Sequence, residues 1–448
     1  MRSAFILLIS CYISLAAGGI VLPSHHEHGE KSEEKQKLIV FLLDGFRWDY
    51  VDKMPRGSLP GFERIQNEGA RALWVNPIFP SVSYPSWTTL STGLYAENHN
   101  IIGNYMYDFS RNEAFELFNT TSTQRAHWWD SAEPIWTTAT RQGKKVGLFL
   151  WQRCDVPQKG IRPALCDGFV AKRGSKVLES NLGKAFEVLE QEDYDMVMLY
   201  NEHLDNKGHY NGPHTKELYE ALQELDAIIY RLFEKISHSS LKHKVNIMIV
   251  SDHGMADGHI EAGMKYVNVK DFVNSDDIKL AIDVGAVMTI APESDKLEKV
   301  YNSLKRMPGV NVYKREEIPE EYHYKKGLFV HDILLVAKTG FFINGFESDK
   351  QLPPNAQNVE WGGFHGYPPG DPDMRTVFFG WGPAFKSHFR GSPIELVDVY
   401  QLYAHILNVS PQPHNGSWER VREYLTSTTA MIYQSMLVTF SALLLLLI

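Results

Sequence analysis

The sequence is poor in cysteine and contains no long basic stretch. Its 448 residues include three cysteines and carry a net charge of −9, which argues against a protein that binds nucleic acid through a basic face. It also lacks an internal repeat and an interior linker. With 44% hydrophobic and 22% charged residues, the composition is globular and the chain is long enough for a large core. We therefore expect one large domain, over residues 37–425.

No apolar run reaches the roughly 20 residues that a membrane-spanning helix needs, but both ends are hydrophobic. Arg2, the apolar run at 4–17 and the small residues after it predict a signal peptide at 1–18, with a buried first strand as the alternative. Residues 19–36 are charged and predict a polar linker. Near the C-terminus, small residues precede an apolar run at 436–448. This order predicts a GPI-attachment signal at 426–448, with a transmembrane tail as the alternative.

These end segments predict a glycoprotein held by a lipid anchor at the extracellular face of the plasma membrane. If Cys11 leaves with the signal peptide, Cys154 and Cys166 remain in an oxidising compartment, where we expect them to form a disulfide. Three sequons agree with this location and predict N-glycosylation; they lie at Asn119, Asn408 and Asn415.

Apolar runs of strand length alternate with helical segments along the chain. An unbroken run at 38–43 and mainly apolar runs at 146–151, 196–200 and 245–250 predict buried parallel strands. Further strands are predicted at 286–290, 333–336 and 376–379. Apolar residues at helical spacing predict a helix over 215–236. This alternation predicts an α/β fold with a mainly parallel central sheet.

Acidic residues follow three of these runs, where α/β folds place their functional sites. Taken singly, each has an ordinary explanation: an Asp after a strand is often a turn residue, and a lone His is often structural. Together, these carboxylates and imidazoles form a donor set that suits zinc without any thiolate. They are Asp44, Asp205 with His209 one helical turn later, Asp252 with His253, and His365 in a glycine-rich stretch.

The stretch 79–93 contributes hydroxyl residues where a helix is about to begin. A hydroxyl at that position lies where backbone N–H groups and the helix dipole favour an anion, which suits a nucleophile that meets phosphate. A simple helix cap is the alternative.

In order and spacing, these motifs resemble the ectonucleotide pyrophosphatase/phosphodiesterase family of the alkaline phosphatase superfamily. The resemblance covers about residues 37–425 and implies a single phosphodiesterase domain with an alkaline-phosphatase-like three-layer sandwich. The motifs are Asp44-Gly45, Ser83 before Tyr84-Pro85, Gly103-Asn104, Asp205 with His209, Ser251-Asp252-His253-Gly254 and Phe364-His365-Gly366.

The resemblance also implies a site with two Zn²⁺ ions. One ion is expected on Asp205, His209 and His365. The other is expected on Asp44, Asp252 and His253, beside the oxygen of Ser83. Ser83 is then the nucleophile, and it forms a phosphoseryl intermediate that water hydrolyses. Asn104 is expected to bind the phosphoryl oxygen.

Within the family, the sequence resembles the choline-specific glycerophosphodiester phosphodiesterase branch. That implies release of phosphocholine from glycerophosphocholine and lysophosphatidylcholine. The expected substrate-binding residues are Tyr84, Asn104, Phe169, Tyr200 and Asp205. The C-terminal cysteine that can link two subunits in that branch is missing, so a homodimer would lack this disulfide. Three alternatives stay open: a nucleotide pyrophosphatase/phosphodiesterase, a phosphomonoesterase and a non-catalytic cell-surface binding protein.

Overall fold

A central eight-stranded sheet organises the computed structural model, which describes residues 35–169, 174–354 and 361–426. The predicted signal peptide, nearly all of the predicted linker and the predicted attachment signal after Thr426 lie outside the described residues. The described residues from Gln36 onward form one unit. Where the chain is described, none of its helices is both long enough and apolar enough to span a membrane.

The strands are β1 (Lys37–Leu43), β2 (Ala70–Ala72), β3 (Val75–Asn76), β4 (Tyr105–Asp108), β5 (Glu113–Glu116), β6 (Val146–Trp151), β7 (Leu165–Gly168), β8 (Met196–Asn201), β9 (Val245–Val250), β10 (Ala256–Asp257), β11 (Lys265–Asn268), β12 (Ile278–Ile282), β13 (Val287–Pro292), β14 (Val310–Lys314), β15 (Ile333–Ala337), β16 (Phe341–Asn344), β17 (Gln351–Leu352), β18 (Gly363–Phe364), β19 (Phe378–Trp381), β20 (Phe389–Gly391) and β21 (Ile394–Glu395). The α-helices are α1 (Pro60–Glu68), α2 (Ser83–Thr92), α3 (Ala96–His99), α4 (Thr120–Thr123), α5 (Ile135–Arg141), α6 (Ser175–Gln191), α7 (His203–Asn211), α8 (Lys216–Ser237), α9 (Leu297–Leu304), α10 (Val399–Leu407) and α11 (Trp418–Val421).

The central sheet has the strand order β20-β2-β19-β9-β1-β8-β6-β7. Its five strands from β9 to β7 run parallel to their neighbours. Strand β19 is antiparallel to both β9 and β2. The expected mainly parallel sheet is therefore confirmed, with an antiparallel strand on one side.

Strand β1 shows why the sheet lies between two helical layers, because every residue in it is buried. Alternate side chains of a strand point to opposite faces. Leu38 and Val40 join a core that includes residues of α2, α5 and α10. Ile39 and Phe41 join a second core with residues of α1, α6 and α8. Burial of each such side chain contributes about 1.5–3 kcal/mol, and the result is the expected three-layer sandwich.

The predicted strands at 286–290 and 333–336 form, but they do not extend the central sheet. They correspond to β13 and β15, which pair antiparallel with each other in a separate five-stranded sheet. An apolar run reveals that a strand is buried and leaves open which sheet it joins. The third prediction, at 376–379, corresponds to β19.

The predicted disulfide partners are bonded in the structure, with the Cα atoms of Cys154 and Cys166 5.7 Å apart. All three sequon asparagines, Asn119, Asn408 and Asn415, are exposed. Exposure is what attachment of a glycan requires.

Candidate active site

The three carboxylates predicted at strand ends come together at one edge of the central sheet. Asp44 follows β1, Asp252 follows β9, and Asp205 lies in α7, which begins just after β8. These strands are neighbours in the order β9-β1-β8. Because they are parallel, their C-terminal ends share an edge, and this is where the side chains meet.

Asp44, Asp252 and His253 form a buried cluster in which the possible ligand atoms lie within 4.8 Å of one another. His253 Nε2 is 3.4 Å from Asp44 Oδ1 and 3.4 Å from Asp252 Oδ2. The same nitrogen is 3.4 Å from Ser83 Oγ. The predicted nucleophile therefore borders this cluster directly.

A second cluster of the same kind consists of Asp205, His209 and His365. One turn of α7 places His209 Nε2 3.4 Å from Asp205 Oδ1. His365 Nε2 lies 3.8 Å from that oxygen and 3.1 Å from His209 Nε2. The clusters adjoin, because the rings of His365 and His253 stack with their centroids 3.5 Å apart.

Backbone carbonyls orient all three imidazoles. Each ring donates its Nδ1–H to a carbonyl oxygen, from His253 to Gly254 at 2.9 Å, from His209 to Gly363 at 2.9 Å and from His365 to Ser81 at 3.1 Å. This bond fixes the tautomer and leaves the Nε2 lone pair facing the carboxylates. Histidines that bind a metal are held in the same way.

The carboxylates lack protein partners that would balance their charge. Asp44 Oδ1 and Asp205 Oδ1 are buried and have no hydrogen-bond partner among the described residues. Burial, with neighbouring carboxylates next, raises the pKa of Asp44 well above its usual range. Burial also raises the pKa of Asp205 and lowers that of His365. Imidazoles that present an Nε2 lone pair, together with buried orphan carboxylate oxygens, fit divalent cations, which would satisfy them.

Two aromatic side chains donate hydrogen bonds to carboxylates of the first predicted metal cluster. The Tyr200 hydroxyl donates to Asp44 Oδ2 at 2.6 Å, and the Trp87 indole N–H donates to Asp252 Oδ2 at 2.7 Å. Sequence reasoning missed the role of Trp87. The available signal was its spacing from Ser83, since residues four apart on a helix share a face.

Ser83 is the first residue of α2, where the N-terminal end of the helix favours negative charge. Asn104 is oriented from the same helix, because its Oδ1 accepts the Tyr84 backbone N–H at 3.0 Å. That bond uses the acceptor end of the amide. Its N–H₂ end is the part of the side chain that could donate to a phosphoryl oxygen, which is the role predicted for Asn104.

The clusters open into a cavity of about 340 Å³. The central-sheet side contributes the catalytic candidates and Tyr200. The five-stranded sheet and the turn between two of its strands contribute the lining residues from Ile282 to Thr289. No lysine or arginine of the described ranges lines the cavity. Site residues that line it are Asp44, Ser83, Asn104, Tyr200, Asp205, His209 and His365.

Tyr84 does not line the cavity, contrary to our expectation for a substrate wall. Its side chain is 1% exposed and packs against Trp87 and Phe115, with ring centroids 5.1 and 5.0 Å away. Its hydroxyl is hydrogen-bonded within the protein. The α2 helix turns by about 100° per residue, so the residue after Ser83 points into the core.

Phe169 also lies behind the cavity wall, which corrects its expected contact with substrate. Its ring packs against Tyr200 and Phe118, each 5.6 Å away between centroids. Both of those neighbours line the cavity, whereas Phe169 does not. Phe169 therefore supports the wall, and Phe118 is the exposed aromatic residue on this side.

Comparison with known proteins shows the family. A family model described as type I phosphodiesterase / nucleotide pyrophosphatase matches residues 38–368. The chain belongs to this family. It is 32% identical to human ectonucleotide pyrophosphatase/phosphodiesterase family member 5 over 396 residues, covering 88% of this chain and 79% of that protein. Over 387 residues, it is 30% identical to human bis(5'-adenosyl)-triphosphatase ENPP4, covering 85% and 80%.

Comparison with solved structures supports the same family. An inactive form of murine family member 5 in complex with AMP has a TM-score of 0.79 and 31% identity, covering 87% of this chain and 100% of that one. The alkaline-phosphatase-like fold and membership of a phosphodiesterase family are thus established. These relatives do not single out the choline-specific branch.

Proposed function

We propose that the protein is a zinc-dependent phosphodiesterase in which Ser83 attacks the phosphorus of a diester. The observation that carries this proposal is the position of Ser83 Oγ, 3.4 Å from His253 Nε2. There the hydroxyl borders one predicted metal cluster, and the second cluster adjoins it. Two ions about 4 Å apart would supply Lewis acidity for the attacking and leaving oxygens.

The reaction proceeds in two displacements. The Ser83 oxygen forms a bond to phosphorus while the bond from phosphorus to the leaving oxygen breaks, and the alcohol departs with a proton. Asn104 donates its amide N–H to the phosphoryl oxygen as charge grows there, a contribution of about 3 kcal/mol at comparable sites. Water then attacks the same phosphorus, the bond from phosphorus to the Ser83 oxygen breaks, and a phosphomonoester that carries the second substituent leaves as the Ser83 hydroxyl is restored.

For the substrate, the relatives favour a nucleotide phosphodiester or pyrophosphate. One relative is named as a bis(5'-adenosyl)-triphosphatase, and the structure of another contains AMP. In a nucleotide complex, the aromatic lining of the cavity would stack on the base. Tyr200 and Phe118 are candidates on the central-sheet side.

The charge of the cavity supports a second candidate, a choline phosphodiester such as glycerophosphocholine. Two carboxylates outside the metal clusters, Glu202 and Asp283, line the cavity, and none of the lysines or arginines in the described ranges does. Apart from the proposed metal ions, a polyphosphate would therefore meet no cation among the described side chains of the cavity. A quaternary ammonium group, by contrast, is favoured by aromatic faces and carboxylates.

A substrate panel on the purified full chain decides between these candidates. Bis(p-nitrophenyl) phosphate measures basal diesterase activity, while glycerophosphocholine and diadenosine triphosphate compete for the higher kcat/KM. A phosphodiesterase must turn over at least one of the three, and chelation must abolish that activity until Zn²⁺ is restored. Turnover of phosphomonoesters alone would refute the proposal.

We further propose that the protein is held at the outer surface of the plasma membrane by a glycolipid. The supporting features are the three exposed sequon asparagines and the apolar C-terminal run at 436–448. Phosphatidylinositol-specific phospholipase C should release the protein from intact cells. Retention on the cells after treatment would favour a transmembrane tail.

A further inference from the structure

Asp283 lines the cavity, but it belongs to neither metal cluster and takes no part in the proposed attack by Ser83. It lies in the turn 283–286 between β12 and β13 and adopts a left-handed backbone conformation with φ +69°. Its backbone is fixed to β17, because its N–H donates to the Leu352 carbonyl at 2.7 Å and its own carbonyl accepts from Gln351 at 3.0 Å. The position of the side chain at the cavity is thus determined by the second sheet.

The same turn packs against the catalytic segment. A Cβ atom placed on Gly366 would lie 3.2 Å from Ala286 Cβ and 3.1 Å from Val82 Cγ1. Gly366 follows the metal-cluster residue His365, and Val82 precedes the nucleophile. The turn that carries Asp283 therefore adjoins the catalytic segment, and Asp283 lines the same cavity as Ser83.

The Asp283 carboxylate has no cationic partner among the described residues. One oxygen accepts the Val284 backbone N–H at 2.8 Å, and no ion pair involves it. Burial raises the pKa of this group to about 7. Two tyrosines that line the cavity, Tyr105 and Tyr324, lie close enough to sense its charge. Stability gains nothing from such an isolated acid, so it is a candidate for ligand binding.

We propose that Asp283 binds a hydroxyl group of the alcohol substituent on the substrate phosphate. This inference rests on the proposed function and identifies what the second wall of the cavity recognises. A carboxylate accepts hydrogen bonds from sugar or polyol hydroxyls, as acidic residues do with ribose in nucleotide-binding folds. Glycerol and ribose both present this chemistry, so the proposal holds for either substrate class.

Both cavity carboxylates outside the metal clusters have aromatic neighbours, since Tyr105 and Tyr324 lie near Asp283, and an ammonium group needs only one such carboxylate. The side nearest Tyr200 already combines aromatic rings with Glu202, at the end of β8. A diester carries two substituents on one phosphorus. If the Tyr200 side receives one of them, the wall from the five-stranded sheet faces the other.

Two substitutions suit the backbone at this position. Asp283→Gly removes the carboxylate and tolerates the positive φ, and Asp283→Asn retains an amide acceptor and also tolerates it. Their KM is measured for glycerophosphocholine and for p-nitrophenylphosphocholine. Both substrates leave phosphocholine on the enzyme, but only glycerophosphocholine has hydroxyls on its leaving group. A second experiment tests recognition of ribose hydroxyls by comparing the KM for diadenosine triphosphate, which contains ribose, with the KM for bis(p-nitrophenyl) phosphate, which does not.

The test uses the substrate pair that the wild-type protein hydrolyses. For that pair, Asp283→Gly should raise the ratio of the KM for the hydroxyl-bearing substrate to the KM for the hydroxyl-free substrate by about tenfold or more. The ratio for Asp283→Asn should lie between those of wild type and Asp283→Gly. The exposed Asp276→Asn should leave this ratio at the wild-type value. An unchanged ratio in Asp283→Gly overturns the proposal. So does an equal rise in KM for both phosphocholine substrates, which would assign Asp283 to the ammonium group. Failure of the proposed function is separate, because wild type would then hydrolyse none of the diesters.

Discussion

The Tyr200 hydroxyl donates a 2.6 Å hydrogen bond to Asp44 Oδ2. The same ring lines the cavity, so one side chain both forms a substrate wall and orients a predicted metal ligand. From the sequence, only the contact of Tyr200 with substrate was predicted. Because the bond occupies Oδ2, the orphan Oδ1, which lies 3.4 Å from His253 Nε2, is the oxygen that would be left to bind a cation.

Tyr200→Phe separates these two roles, since it keeps the ring and removes the hydroxyl. Loss of a hydrogen bond that orients a ligand typically lowers metal affinity about 10- to 100-fold. We expect a loss of this size in a Zn²⁺ titration of the apo protein, with a smaller change in substrate KM. Tyr107→Phe, which removes an exposed hydroxyl, is the control. Wild-type metal affinity in Tyr200→Phe would rule out the positioning role.

Trp87→Phe tests the second such bond, from the indole N–H to Asp252 Oδ2. We expect kcat and Zn²⁺ affinity to fall by about 10-fold or more. Trp136→Phe is the matched control, because that indole is equally buried and does not contact a predicted ligand. Both variants should lose comparable stability in thermal unfolding. If Trp136→Phe lowered metal affinity as much as Trp87→Phe, the effect would be one of packing.

Asp283 should also affect the pH dependence of stability. Burial raises its pKa from 3.8 to about 7, so the folded state binds this proton more tightly than the unfolded chain. The cost of ionisation is absent below about pH 4, grows up to about pH 7 and is constant above it. Asp283→Asn removes that cost. It should add about 2 kcal/mol to the free energy of unfolding at about pH 8 and nothing at about pH 4, after allowance for contact with solvent in the cavity.

Urea unfolding of both proteins across this pH range measures the difference, and pairwise comparison cancels effects of metal release that they share. Asp276→Asn, at an exposed position, should track wild type throughout. A gain in stability that is the same at every pH would contradict the raised pKa.

The disulfide should contribute to stability rather than to catalysis. Cys154 and Cys166 are 12 residues apart in sequence, and closing a loop of that size stabilises a fold by about 3 kcal/mol in the chain-entropy model. The double substitution Cys154→Ala with Cys166→Ala should lower the free energy of unfolding by about that amount. The kcat of the folded fraction should stay near wild type. A large loss of kcat without loss of stability would mean that the loop acts on the site.

The sequence predicts the central layer well, because buried parallel strands appear as mainly apolar runs. The acidic residues that end β1 and β9 could also be located, and parallel neighbours bring strand ends together without further information. The second sheet was not foreseen. Strands β13 and β15 have the same apolar pattern, and the antiparallel pairing that separates them from the central sheet depends on long-range contacts.

The residues around the cavity were also beyond what the sequence alone could predict. Tyr84 adjoins the nucleophile in sequence, but the rotation of α2 turns it into the core. Trp87 reaches Asp252 across 165 residues, and Asp283 is held at the cavity by hydrogen bonds to Leu352 and Gln351, about 70 residues later in the chain. Such contacts depend on tertiary structure, and no local sequence pattern predicts them.

The central claim is that Ser83 carries the phosphoryl group between the two displacements. The most direct test is acid quenching of the Zn²⁺-loaded protein during turnover of the best diester, followed by mass spectrometry of its peptides. Wild type should yield Ser83 that carries the phosphoryl group together with the substituent that the diester retains. Ser83→Ala should yield none and lose at least about 10³-fold in kcat, while Ser86→Ala on the same helix should retain both label and turnover. Phosphodiester turnover at the wild-type rate in Ser83→Ala, or a label on another residue, would contradict the account.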